Sequence, residues 1–422
     1  SRSEMSESSA PPAGRAPAGL LRASLLLLLG SAAAQAIPLL LGPLLTRLYS
    51  PEEFGRFQLF ASVATNLAVL GCGRYEFALP LARDEAEAQA LRRLCLRLLM
   101  ALTLLCVPGG ALAAWHQDEP GWLALPAAVA SASLASLATL WATREQRFAD
   151  MAAARFSQHT GTTLVQLLLG WLHWGVGGLI TGSIAAVAGA IALLRLPLGG
   201  LRHTPAPERA LEREMARRHR EFPLLNTPHA FAGALQDTLA VALIAAQLGP
   251  AAAGFWALSL RYLKAPATLV GGAVSQALYP KLVAAGGSTP AARTMVRRVM
   301  AVLLAGGAAL ALALHLLAPA LFGWFFGAQW RPAGELAAVL APYIGVHFVA
   351  APLAVVTMAW QAQGWALRLA LVGQIAFVGA LALGLHLGGL QGAGQAVSLA
   401  MLLYFGFYFW RLATWPVAET PR

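Results

Sequence analysis

The sequence predicts an all-α polytopic membrane protein, with twelve transmembrane helices in two six-helix lobes related by a pseudo-twofold axis along the membrane normal. Three observations predict this fold: an apolar composition, an uneven distribution of basic residues between loops, and an internal repeat. Of the 422 residues, 58% are hydrophobic and only 12% are charged. Soluble globular domains carry about 25% charged residues, so a bilayer is the solvent that this composition fits.

Twelve apolar windows are long enough to cross a bilayer as helices, which requires about 20 residues each. In chain order they are Leu20–Leu45, Gly55–Leu79, Leu94–Trp115, Trp122–Trp141, Ala153–Trp174, Gly175–Leu196, Pro223–Gln247, Ala251–Tyr279, Val296–Leu316, Pro332–Trp360, Ala366–Leu385 and Gly389–Trp410. The two windows that meet at Trp174 and Gly175 leave an alternative, because merging them would give eleven spans.

The basic residues decide between these two counts. With twelve spans and a cytoplasmic N-terminus, all but six of the 30 Lys and Arg residues fall in cytoplasmic segments. The six exceptions are Arg47, Arg56 and Arg331 in the opposite loops and Arg74, Arg261 and Lys264 inside spans. Cytoplasmic loops of membrane proteins carry such an excess of Lys and Arg, and eleven spans would destroy the asymmetry. The net charge of +11 is explained in this way, so we expect no nucleic-acid partner.

The repeat predicts how the chain is divided. The pattern P-x-x-x-G-x-F-x-L at 51–59 returns as P-x-x-x-G-x-W-x-L at 250–258, at the equivalent hairpin of the second half. Six helices per repeat give both halves the same orientation and leave a cavity between them. The predicted units are a disordered cytoplasmic tail (1–18), an N-lobe (19–197), a cytoplasmic linker that forms a solvated amphipathic helix (198–221), a C-lobe (222–411) and a cytoplasmic tail (412–422).

The candidate site residues are polar side chains inside the predicted spans. Arg261 and Lys264 lie near the middle of Ala251–Tyr279, where a charge costs at least about 2.5–3.5 kcal/mol unless it faces water or a partner. Their spacing of three residues places them on one face of a helix, as a shared anion requires. At similar depth we expect Gln35 in the first helix and Gln236 and Asp237 in the seventh as further residues of the cavity.

Two alternatives stay open for these charges. Asp237 either forms a static ion pair with Arg261, or it binds a proton or ion while Arg261 and Lys264 bind a phosphate. Arg74, in the second helix, either extends towards the cytoplasm or guides an anion from that side, and Glu76 beside it is a counter-charge or a second ion-coupling candidate. The histidines are scattered and are interpreted as core or interfacial residues.

Other chemistry is not indicated by the sequence. Cys72, Cys95 and Cys106 lack metal-ligand spacing, and no glycine loop for a nucleotide phosphate is present. The predicted outer loops are short, whereas an enzyme that acts on lipid-linked sugars needs a catalytic group at a membrane face. We therefore expect no enzyme, no metal and no cofactor other than a coupling ion, H⁺ or Na⁺.

Several motifs resemble those of Wzx-type polysaccharide transporters, the O-antigen and exopolysaccharide flippase branch of the MOP superfamily, which also contains the MATE exporters and MurJ. In the first half these are YSPEEFGRF at 49–57 and RYEFA at 74–78. In the second half they are EFPL at 221–224, AGFWALSLRYLKAP at 253–266, VSQALYP at 274–280, FGAQWRPAG at 326–334 and APLA at 351–354. The similarity is collinear over nearly the whole chain, and Arg74 and Arg261 match positions within it.

The resemblance implies a flippase that moves an undecaprenyl-diphosphate-linked oligosaccharide across the bacterial inner membrane by alternating access. It implies a lipid-linked oligosaccharide and membrane lipids as partners, with a polysaccharide polymerase in the same membrane as a further candidate. Both termini are expected in the cytoplasm. The alternatives are a MATE-like ion-coupled exporter of cationic small molecules and a lipid II flippase.

Overall fold

Helices and the turns between them make up the computed structural model, which describes residues 36–200 and 205–416 and contains no β-strand in those ranges. Gln35, most of the two predicted tails and part of the first predicted helix lie outside the described residues. The helices are α1 (Ala36–Leu48), α2 (Pro51–Ala68), α3 (Glu85–Gln117), α4 (Leu125–Arg144), α5 (Phe148–Trp171), α6 (Gly175–Leu194), α7 (Ala206–Arg218), α8 (Thr227–Leu248), α9 (Pro250–Leu263), α10 (Ala265–Ala284), α11 (Pro290–Phe326), α12 (Arg331–Ala359) and α13 (Gln363–Ala413).

Seven helical segments of the described chain are long and apolar enough to cross a membrane. Short 3₁₀ or π segments extend three of them at their N-terminal ends. The seven are Glu85–Gln117, Pro120–Arg144, Gly175–Leu194, Phe222–Leu248, Pro290–Phe326, Ala328–Ala359 and Gln363–Ala413. The chain is therefore a multi-pass membrane protein, and the count of twelve spans stays a prediction.

Two hairpins support the predicted boundaries between neighbouring spans. Between α5 and α6 the chain turns through His173 and Gly175, both with positive φ, and Gly182 then packs against Gln166. The helix α13 is interrupted at Gly388–Gly389, where the backbone angles are not helical. Gly384 then faces the backbone at Gly392, so the two parts, 363–387 and 390–413, run antiparallel.

The second predicted helix, Gly55–Leu79, is wrong at its C-terminal end. The helix α2 ends at Ala68, and turns lead to a 3₁₀ helix, Tyr75–Leu81. After Ala68 the amides of Leu70 and Gly71 bond three residues back and form turns, and Gly73 and Arg74 then adopt the left-handed conformation, in which an α-helix does not continue. Arg74 and Glu76 consequently lie on an irregular segment and not on a membrane helix.

The eighth predicted helix, Ala251–Tyr279, is also divided. It forms α9 and α10, which meet at Lys264. The proline at 266, two residues further on, has no N–H to donate to the carbonyl of Tyr262 and its ring restricts the preceding residue. The single predicted span therefore forms two helices, and the break falls beside Lys264 itself.

The repeated motif forms a reciprocal contact between the two halves of the chain. A Cβ at Gly55 would overlap the backbone carbonyl of Pro250, and a Cβ at Gly254 would overlap the carbonyl of Pro51. The same residues of each repeat therefore meet each other, as equivalent residues do across a twofold axis. Small residues let helix backbones approach this closely in membranes, so the shared spacing of the two motifs is explained by the crossing of α2 and α9.

The linker helix α7 does not form the solvated connector that the sequence predicts. Met215 and Glu212 on one face of α7 are 0% and 4% exposed. Glu212 accepts a hydrogen bond from Nε of Arg93 at 2.8 Å and pairs with Arg97 at 3.1 Å, both on α3. The linker is thus amphipathic, as predicted, but its inner face is docked on α3.

Four clusters of buried apolar side chains form the core. Two of them contain only residues of the first half and its linker, and a third contains only residues after 277. The largest joins α8, α9, α12 and α13 with Leu45, Tyr49, Phe54 and Leu179 of the first half. Near it, Nε1 of Trp330 donates to the carbonyl of Thr46 at 2.9 Å. The halves are therefore sealed against each other at the end where the repeated motifs cross, and the division into two lobes stays a prediction.

Candidate functional site

A cavity of about 480 Å³ lies between the first and second halves of the chain. The first half contributes α1, α2 and α5 to its wall, and the second half contributes α8, α9 and α10. The lining side chains that carry a charge or a titratable or amide group are Gln58, His159, Asp237, Arg261 and Lys264. The other lining residues are mostly apolar, among them Leu39, Val241, Trp256 and Leu269. The polar groups are thus few and concentrated, as in a site that recognises one charged group of an apolar ligand.

Arg261 and Lys264 lie on the wall at the end of α9. Arg261 is exposed and Lys264 is half-buried. Within the described ranges neither side chain belongs to an ion pair, although ten other pairs are formed. Lys264 lies within electrostatic range of Tyr343 and His347 on α12. Two cations that form no ion pair with a carboxylate of the described residues are therefore available to an anion in the cavity.

Asp237 shares this cavity, but it does not form the static ion pair with Arg261 that was one of the two sequence-based alternatives. The side chain is exposed on α8, and among the described residues it forms no ion pair. Because Asp237 is not paired with Arg261, its carboxylate is accessible from the cavity. Asp237 can therefore bind a cation or proton without first giving up a partner.

The contact between α1 and α9 positions the opposite wall. The hydroxyl of Tyr262 donates to the carbonyl of Leu39 at 2.9 Å. That carbonyl has no helical donor, because residue 43, four positions further on, is a proline. A Cβ at Gly42 would overlap the Tyr262 hydroxyl, so glycine is required there. Tyr262, next to Arg261, thus fixes α1 against the cationic end of α9.

Two wall residues were not among the candidates from the sequence. Gln58 lies on α2 and His159 lies on α5, and Arg155 and Arg261 are both within electrostatic range of the His159 imidazole. His159 was interpreted as a core or interfacial residue, yet it is exposed in the structure. A polar residue in the middle of an apolar helix was the signal that could have indicated it. Gln58 has the same signal, since it interrupts the apolar sequence of α2.

Other predicted site residues lie away from this cavity wall. Gln236 is half-buried on α8 next to Asp237 but does not line the cavity. Arg74 lies at the start of the 3₁₀ helix with its guanidinium 4.2 Å from the centre of the Phe77 ring. Glu76, on the same segment, is 5% exposed. Gln35 lies outside the described residues. The structure therefore brings Arg261, Lys264 and Asp237 together and leaves Gln236, Arg74 and Glu76 outside the group.

Solved structures with a similar fold were identified by comparison. An inward-facing multidrug resistance MATE family transporter of the MOP superfamily has a TM-score of 0.66 at 13% identity, over 92% of this chain and 93% of that chain. The lipid II flippase MurJ, in an inward closed conformation, has a TM-score of 0.64 at 11% identity, over 92% of this chain and 90% of that chain. A point mutant of the Vibrio cholerae MATE transporter VcmN has a TM-score of 0.51 at 16% identity, over 93% of this chain and 95% of that chain.

These similarities show the fold, because the identities are low. The proteins that share it are transporters and a flippase and not enzymes. No curated protein matches the chain significantly in sequence.

The model of one protein family matches the sequence directly. It is described as "Polysaccharide biosynthesis protein" and matches residues 120–335, slightly more than half of the chain. All the charged residues of the cavity, Asp237, Arg261 and Lys264, lie in this range, as does His159. A multi-pass helical membrane protein with the fold of the MOP superfamily transporters, this chain belongs to the polysaccharide biosynthesis protein family.

Proposed function

We propose that this protein is a flippase that moves an undecaprenyl-diphosphate-linked oligosaccharide across the bacterial inner membrane, with Arg261 and Lys264 binding the diphosphate. The observation that supports it best is the position of these two cations, which have no ion-pair partner in the described part of the chain, on the wall of a cavity between the two halves of a membrane protein. The family match to polysaccharide biosynthesis proteins supports a glycan precursor as the cargo. Both termini are proposed to lie in the cytoplasm, and a polysaccharide polymerase is a candidate neighbour in the membrane.

The attraction of the two cations for a diphosphate can be compared with the cost of removing that group from water. A unit charge pair at 4 Å attracts by about 4 kcal/mol at an effective dielectric constant of 20. Two cations therefore supply an attraction of the same order as the several kcal/mol that removing a charged group from water costs. The guanidinium of Arg261 offers a planar pair of donors to one phosphate, and the ammonium of Lys264 acts as a point charge for the other. The lipid tail stays in the bilayer in this mechanism.

The place where the halves are sealed supports a mechanism of alternating access. The reciprocal contact between α2 and α9 and the bond from Trp330 to Thr46 close one end, which the loop charges assign to the outside. The cationic cavity is then reached from the cytoplasmic side, where lipid-linked glycans are assembled. In the proposed cycle Asp237 binds a coupling ion, H⁺ or Na⁺, and the seal opens when the loaded halves rotate.

An exporter of cationic small molecules is the second candidate, and Asp237 is the observation that favours it. An accessible carboxylate on the cavity wall is the group that a cationic drug requires. The two neighbouring cations oppose that ligand, so the flippase is the better-supported function. Lipid II transport is a third candidate, which shares the diphosphate and differs in the glycan.

Thermal unfolding with added ligands separates these candidates. We expect undecaprenyl diphosphate to stabilise the purified protein, by about 2.7 kcal/mol at a concentration 100-fold above Kd, and undecaprenol and a cationic dye to have no effect. The double substitution Arg261→Ala with Lys264→Ala should abolish the stabilisation. The matched control is Arg368→Ala, an exposed arginine that lies away from the cavity and donates to a carbonyl of its own helix.

A transport assay in proteoliposomes tests the role of the two cations directly. In proteoliposomes, Arg261→Ala should abolish flipping of a lipid-diphosphate-linked glycan while the protein still elutes as a monodisperse species. Normal flipping by Arg261→Ala would refute the role of the cations. Stabilisation by the dye, lost in Asp237→Asn, would instead establish the drug exporter, and a preference for lipid II over other glycans would establish the third candidate.

A further inference from the structure

A second group of chemically reactive side chains lies outside the cavity, near the start of the 3₁₀ helix. Cys72 and Glu76 belong to the irregular segment after α2, and Cys95 belongs to α3. Their ligand atoms, two sulfurs and a carboxylate oxygen, all lie within 4.8 Å of one another. The exposed fractions of the three residues are 2%, 5% and 0%. Residues that are distant in sequence are therefore gathered into one buried cluster.

Glu76 has an unsatisfied atom in this cluster. Its Oε2 is buried and has no hydrogen-bond partner among the described residues. A buried carboxylate oxygen that accepts no hydrogen bond is costly, and a metal ion bound to that oxygen would remove the cost. Glu76 forms no ion pair within the described ranges, and the guanidinium of Arg74, the basic residue nearest in sequence, is stacked on Phe77.

We propose that Cys72, Glu76 and Cys95 bind a zinc ion. Thiolate and carboxylate are both zinc ligands, and two thiolates favour zinc over the hard cations magnesium and calcium. With bonds of about 2.3 Å to sulfur and about 2.0–2.2 Å to oxygen, the ligand atoms of a tetrahedral site lie within about 4 Å of one another. The observed separations of at most 4.8 Å are close to this geometry, and in the proposed site a water molecule takes the fourth position.

The charges of the site balance when the metal binds. Each thiol releases a proton, so that two thiolates and one carboxylate bring three negative charges to the divalent ion. One net negative charge remains, and the guanidinium of Arg74 lies within electrostatic range of Glu76 to offset it. The Nε atom of Arg74 is itself buried without a hydrogen-bond partner in the described structure.

The position of the cluster indicates a structural ion that holds the irregular segment against α3. Tyr75, next to Glu76, donates its hydroxyl to the carbonyl of Ala216 on the linker helix α7 at 3.0 Å. Arg93, two residues before Cys95, forms the buried ion pair with Glu212 of the same helix. A metal at this point would fix the segment on which α7 docks. This inference does not depend on the proposed transport activity.

The chain provides its own control cysteine for the test. Cys106 is also on α3 and is 5% exposed, but it is not part of the cluster. We would purify the full-length protein and its Cys72→Ser, Cys95→Ser, Glu76→Gln and Cys106→Ser variants after expression with zinc. Extensive washing with a chelator would remove surface metal before elemental analysis by mass spectrometry.

The expected result is about one zinc per chain in the wild type and in Cys106→Ser, with at least half of it lost in each of the other three variants. No bound zinc in the wild type, or the same amount in all variants, would overturn the proposal. Thiol counting after denaturation without reductant tests a disulfide between Cys72 and Cys95, since a single free thiol would also overturn it. If a variant does not fold, cadmium added to the wild type decides instead, because it must produce a thiolate-to-cadmium absorption band.

Discussion

Adding a methyl group at Gly254 tests how closely α2 and α9 approach each other. The Cβ of Gly254→Ala would overlap the carbonyl oxygen of Pro51 and would lie 3.1 Å from the backbone nitrogen of Gly55. Both neighbours are backbone atoms, which cannot rotate away as a flexible side chain can. The two helices must therefore separate, and the seal between the halves of the chain must loosen.

Two opposing effects determine how much the substitution changes the free energy of unfolding. Alanine is favoured over glycine in a helix by about 1 kcal/mol, whereas overpacking a tight contact costs about 1–3 kcal/mol. Gly272 on α10 isolates the first term, because it is helical and a Cβ there would have no atom outside its own helix within 4 Å. We expect Gly254→Ala to be less stable than Gly272→Ala by the overpacking term alone, about 1–3 kcal/mol.

Thermal unfolding of the purified variants in detergent is the assay. With an unfolding entropy of about 2.1 cal/mol/K per residue and 422 residues, each kcal/mol changes the midpoint by about 1 °C. Gly55→Ala should reproduce the effect from the other side of the contact. The double variant Gly55→Ala with Gly254→Ala should lose less than the sum, because helices that have already separated accommodate a second methyl group.

Equal stability of Gly254→Ala and Gly272→Ala would refute the reasoning, since the helices would then not be in backbone contact. Additive losses in the double variant would contradict it too, by showing two independent contacts in place of a reciprocal one.

Other predictions concern polar contacts between helices and use the same unfolding assay. Glu212→Gln removes the charge that pairs with two arginines of α3 and should lower the free energy of unfolding by up to about 3–5 kcal/mol. The control, Glu214→Gln on the exposed face of α7, should change it by less than about 0.5 kcal/mol. Equal effects of the two substitutions would show that α7 is not docked on α3. Tyr262→Phe leaves the carbonyl freed by the proline at 43 without a donor and should cost about 1–3 kcal/mol. His315→Phe should have a similar effect, because Nδ1 of His315 lies 3.1 Å from the Ala338 carbonyl that the proline at 342 leaves free. Unchanged stability of Tyr262→Phe or His315→Phe would show that water replaces the lost donor.

Some predictions from the sequence were correct because they depend on the solvent around a segment and not on the helices that pack against it. An apolar window in a bilayer must be helical, because no water is present to satisfy its backbone groups. This holds whatever the neighbouring helices are, so the helix that contains Arg261 could be predicted from composition alone. The spacing of Arg261 and Lys264 on that helix likewise places them on one face, and both line the cavity.

The errors have a local and a tertiary cause. Hydropathy did not show that α2 ends at Ala68, because the residues that follow it are as apolar as a helix. The contacts of α7 could not be predicted at all, since Glu212 resembles the exposed Glu214 in sequence and differs only in facing Arg93.

By itself, the sequence determined the membrane environment, the helical class and the charged groups available to a site. Each of these follows from the chemistry of one segment and its solvent. Only the tertiary structure decided that Gln58 and His159 join Arg261 around one cavity, that Gly55 and Gly254 meet in one crossing, and that Cys72 and Cys95 lie beside Glu76. Such groups join residues that are far apart along the chain, and their distances depend on how whole helices pack, which no local pattern specifies.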